Sequence, residues 1–185
     1  MTPQQWAFLT SFIAMLLIAG SYFVKKKDSF LILQSFGVTW LLVSYLCSGQ
    51  YFALVGLGIG LCRMLAYYVY EKRNETAPVW VASCFIVLTL IAYFTINFGI
   101  EKTARFIDIV YLVSLIGYIL VFRMRSLVRM RYFAFIPIVC AALYNAFSGA
   151  AIFAVITYVF EFCANALAII KHFIFDKKEN THEKG

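Results

Sequence analysis

Seven long apolar runs, separated by brief polar breaks, occupy almost the whole chain: residues 6–24, 30–47, 51–70, 79–98, 103–122, 132–147 and 150–170. Each approaches the ~20 apolar residues that a helix needs to cross a bilayer. The runs are continuous rather than alternating, which excludes the ~10-residue strands of a membrane barrel. In lipid, a helix satisfies every backbone amide within its own segment. The pattern therefore predicts an all-α integral membrane protein with seven transmembrane helices. Lys25-Lys26-Lys27 closes the first run, and Asp28-Ser29 is expected to cap the second helix. Ser48-Gly49-Gln50 turns the chain, and residues 99–102 turn it again. Pro137, inside the sixth run, predicts a kink or an early-turn position.

Composition narrows the class further. Of 185 residues 63% are hydrophobic and only 14% charged, against roughly 25% charged in a soluble domain. Mean hydropathy is +0.85. Seven spans leave no length for a soluble catalytic domain. The five cysteines lie in apolar runs and none forms a CxxC pair, so they read as small buried hydrophobes. His172 and His182 lack the neighbours of a metal site. No metal and no cofactor is expected. Residues 1–24 have no basic stretch ahead of their apolar core, so no cleavable signal peptide is expected and the first run stays as a helix.

The net charge of +7 is explained by the membrane rather than by nucleic acid, which is not an expected partner. With the amino terminus outside, Lys25 to Lys27, Lys72, Arg73, Arg123, Arg125, Arg129, Arg131 and the basic residues from Lys171 onward all fall inside. Only Lys102 and Arg105 fall outside. The expected orientation is N-terminus outside, C-terminus cytoplasmic. The basic loop 123–131 is expected against anionic headgroups of the lipid bilayer. Residues 173–185 read as a disordered cytoplasmic tail.

The chain also repeats itself. Tyr45 to Arg73 carries a Ser48-Gly49 break and a lone Arg63; Tyr144 to Lys178 carries Ser148-Gly149 and a lone Glu161. Each triplet of runs has a basic loop after its first helix and a Ser-Gly turn before its third. Three helices are an odd number, so one extra helix is needed to make two triplets parallel. A 3+1+3 arrangement follows, with residues 1–73 as the first triple-helix half, 74–101 as linker loop and fourth helix, and 102–172 as the second half. This layout resembles the SWEET, PQ-loop and PnuC-like transporters. Leu61-Cys62-Arg63-Met64-Leu65, the stretch Tyr144-Asn145-Ala146-Phe147-Ser148-Gly149, and Asn165 more closely resemble the YgjV-type bacterial inner membrane proteins. The resemblance implies a seven-helix protein of the bacterial inner membrane, without implying a substrate. The proline of the PQ-loop signature is absent from the first helix of each triplet, and Gly20, Gly37 and Gly117 are the alternative sources of flexibility.

The buried charges are the candidates for function. Arg63 lies 14 residues past Gly49 and Glu161 lies 12 past Gly149, about 18–21 Å below those turns at the helical rise. A charge at that depth costs several kcal/mol unless it is paired or wet. The two are expected to meet, directly or through water, between the halves. One reading is a substrate site, with Arg63 on a carboxylate or phosphate and Glu161 on solute donors; the other is a structural ion pair. Asn145 and Asn165 extend the polar lining or hold helices together. Trp40, with Gln34, Tyr45 and Tyr144, is a candidate to stack on a ring-containing solute. Arg105 and Asp108 read as a local surface pair. No HExxH, paired intramembrane aspartates or serine–histidine constellation occurs, so an enzyme is not expected. The expected function is a small-solute transporter or facilitator, taking a small polar or anionic metabolite. The alternative is a non-transporting accessory or sensor protein, and a homo-oligomer is compatible with either.

Overall fold

In a computed structural model, described for residues 2–49, 51–100, 105–148 and 152–182, the chain is an all-α membrane protein. Gln50, the turn at 101–104, Gly149, the start of the seventh run and residues 183–185 lie outside the described residues, as do the side chains of His172 and His182. The helices are α1 Pro3–Ser21, α2 Lys27–Ser48, α3 Tyr51–Lys72, α4 Val79–Phe94, α5 Phe106–Phe122, α6 Leu127–Phe147 and α7 Ile152–His182. A π-helical turn, Thr95–Ile100, continues α4. Six helices are long and apolar enough to cross a membrane, and α5 is a shorter apolar helix.

Local chemistry explains most of the ends. Thr2 accepts from the Gln5 amide while the Gln5 side chain accepts from the Thr2 amide, a reciprocal cap for α1. Pro3 fits the first turn, where an amide would have no partner. Gly49 ends α2 with φ +69°, a left-handed position that glycine adopts without strain. Asp28 does not cap α2: Lys26 is the N-cap without a side-chain bond, and Asp28 accepts from the Ser29 amide inside the first turn. Pro137 stands within α6, where Gly117 of α5 packs against it. The carboxyl-terminal segment differs from the expected irregular tail. The backbone of α7 stays helical to His182, and residues 171–182 contain neither proline nor glycine to stop it.

Helix packing forms a ring. α1 packs on α2, α2 on α3, α5 on α6 and α6 on α7; α3 meets α5 and α7 meets α1 to close it. α4 sits outside, against α3 and α5. Exchanging α1–α3 with α5–α7 leaves these neighbour relations unchanged. Tyr45 of α2 donates its hydroxyl to Asn145 of α6, 100 positions on, the same offset that separates the two Ser-Gly breaks. Close helix approach depends on small residues, as usual in membranes. A Cβ on Gly37 would stand 2.5 Å from Ile18 Cγ1, and one on Gly56 would stand 2.8 Å from Leu115 Cδ1.

Candidate functional site

The inward faces of the ring follow helical spacing. Gln34, Val38 and Leu41 come from α2; Gly56, Gly60, Arg63 and Met64 from α3; Tyr111, Ser114, Leu115, Tyr118 and Phe122 from α5; Tyr158 and Glu161 from α7. Each set recurs every three or four residues, with Arg63–Met64 and Ser114–Leu115 as adjacent pairs, which keeps it on one helix face. The space between them measures about 40 Å³ for the centre of a water-sized sphere. One water needs roughly 10–15 Å³ by that measure, so a few waters or one small solute fit.

Arg63 and Glu161 both line this cavity, 4% and 3% exposed. They do not form a direct pair. Ion pairs form elsewhere, as in Lys27–Glu71 at 2.7 Å and Arg105–Asp108 at 3.4 Å. Tyr118 stands between the two charges, giving its ring to one and its hydroxyl to the other.

Glu161 is well supplied with donors. Oε1 accepts from Tyr22 at 2.7 Å and from Tyr118 at 3.3 Å. Gln34 faces the same carboxylate, its amide nitrogen short of a well-formed bond. Arg63 is poorly supplied with acceptors. Its Nη1 reaches the Leu115 carbonyl at 3.4 Å, and its buried Nε has no partner. The guanidinium carbon lies 5.1 Å from the Phe122 ring centre and 6.0 Å from that of Tyr118. Such contacts return about 1–2 kcal/mol, against about 2.5–3.5 kcal/mol or more for an arginine at mid-membrane depth. The deficit is what an anion or water would fill.

The other expected residues stand elsewhere. Asn145 is buried between α2 and α6, accepting from Tyr45 and donating to the Ala141 carbonyl. Asn165 lies nearer the Lys25–Lys27 end, its Nδ2 2.7 Å from the Arg131 carbonyl. Neither lines the cavity. Trp40 is 39% exposed, away from the cavity, and cannot stack on a solute held there. Tyr45 and Tyr144 are buried above the site, with Tyr144 stacked on Tyr111.

Two charges expected at surfaces are buried. Asp108 is 1% exposed, because its carboxylate accepts from the Arg105 amide and so caps α5 from within. Arg131 is 8% exposed; its Nη2 donates to the Tyr22 and Val24 carbonyls at 2.6 and 2.9 Å, completing the end of α1. Tyr22, Tyr111, Ser114, Tyr118 and Tyr158 join the site without any charge or motif to single them out in the sequence. The spacing of Tyr111, Ser114 and Tyr118, a polar stripe on an apolar helix, was the available signal. Comparison of the chain with family models, with curated proteins and with solved structures gives no match.

Proposed function

We propose that this protein is a small-solute transporter or facilitator whose substrate occupies the cavity between the two triplets. One observation carries the reading: a guanidinium and a carboxylate share a cavity among apolar helices without neutralising each other. A charge kept only for structure is cheapest when paired with its opposite. A solute site tolerates an incomplete cation because the solute brings the missing acceptor. The exchange symmetry of the helix contacts supports a mechanism in which one triplet moves against the other around a fixed site. The bias of basic residues favours an outside amino terminus. The likeness to YgjV-type proteins favours the bacterial inner membrane.

The test is uptake into liposomes containing the purified protein, using a panel of small labelled anions, zwitterions and neutral solutes. Saturable uptake above that of empty liposomes supports transport. Absence of uptake across the panel, with a second protein co-purifying in fixed ratio, supports an accessory or sensor role. That second reading draws on the bonds from Tyr22 and Tyr118 to Glu161, which tie α7 to α1 and α5 without any solute.

A further inference from the structure

We propose that the solute is a compact anion with one negative charge, held on the Arg63 guanidinium with the Tyr111 hydroxyl and the Gln34 amide as neighbouring donors. This rests on the solute-site reading above and specifies its chemistry. Three buried atoms on the cavity wall lack a well-formed hydrogen bond: Arg63 Nε, Tyr111 OH and Gln34 Nε2. All three can donate. On the same wall, Glu161 Oε1 already takes two tyrosine hydroxyls. Unmet donors around an unpaired cation call for an acceptor-rich, negatively charged occupant.

Charge and room narrow the class. A cation would be repelled by the Arg63 guanidinium on the same wall. A zwitterion would need Glu161 for its ammonium group, where Tyr22 and Tyr118 already stand. A dianion would bring two charges to a single guanidinium. A space of about 40 Å³ for the centre of a water-sized sphere, room for a few waters, admits an occupant of a few heavy atoms. Formate and nitrate have that size, one charge and planar oxygen pairs suited to a guanidinium edge.

The test is thermal melting of the purified full-length protein, titrated with sodium formate or sodium nitrate. Sodium gluconate at equal ionic strength, glycine and glycerol are the contrasting solutes. A saturable rise in melting temperature with formate or nitrate, and none with the three others, is expected. Arg63→Gln should weaken the apparent affinity at least tenfold, an estimate of about the size of a lost charged hydrogen bond. Tyr111→Phe keeps the ring stacked on Tyr144 and removes one hydroxyl, and should weaken binding by about three- to tenfold. If Arg63→Gln does not fold, Tyr111→Phe decides, and an unchanged affinity overturns the proposal. Saturation by glycine or glycerol instead of the anions overturns the anion class and leaves the solute site intact. No saturable effect from any of these, with no uptake across the panel, overturns both.

Discussion

Glu161 and Arg63 stand on the third helices of the two triplets, and each reaches across to the first helix of the other. Glu161 meets Tyr22, just past the end of α1; Arg63 meets Phe122, at the end of α5. The positions correspond, but the outcomes differ. The α7 wall is finished: its carboxylate is held by hydroxyls from α1 and α5. The α3 wall is unfinished: its guanidinium has aromatic rings, one long bond to a carbonyl and an idle Nε. Two helices in matching places of the ring thus hold their charges differently, one satisfied and one not.

The largest effect should come from breaking the finished wall. Glu161→Leu would leave the buried Tyr22 hydroxyl and the half-buried Tyr118 hydroxyl without their acceptor, a loss of about 2–6 kcal/mol at 1–3 kcal/mol for each unmet group. Its melting temperature should fall well below that of wild type. Tyr22→Phe removes one of those bonds and should cost about 1–2 kcal/mol, more than Tyr118→Phe, whose bond is longer. Equal losses for the two would show that the carboxylate is held less unevenly than their distances imply.

Smaller effects belong to the unfinished wall. Gly56→Ala would press a methyl group onto Leu115, whose carbonyl accepts from Arg63; a cost of about 1 kcal/mol is expected because Leu115 can shift its side chain. Gly58→Ala meets nothing within 4 Å and serves as the control, with unchanged melting. Arg63→Met should change stability by less than about 1 kcal/mol, since it replaces a poorly satisfied cation with an apolar side chain of similar length.

Much of this comparison was legible in the sequence. The apolar runs announced the helices because a bilayer tolerates few alternatives. The depth of Arg63 and Glu161 followed from counting residues along α3 and α7. Which groups would satisfy them did not follow, because that depends on how each helix is rotated against its neighbours. Tyr22 reaches Glu161 only because α1 packs on α7, a contact spanning 139 positions. Trp40 was misplaced for the same reason: aromatic residues are common on both faces of these helices, and rotation puts this one outward. Arg131 looked like part of a basic loop, yet α6 begins early enough, at Leu127, to carry it inward beneath the end of α1.

If Arg63 serves a solute rather than the fold, its loss should abolish uptake and spare stability. Uptake of labelled formate or nitrate into liposomes, with melting measured on the same preparations, compares wild type with Arg63→Met. A variant that melts within a few degrees of wild type and carries no uptake is expected. A variant that melts normally and transports as fast as wild type would contradict it.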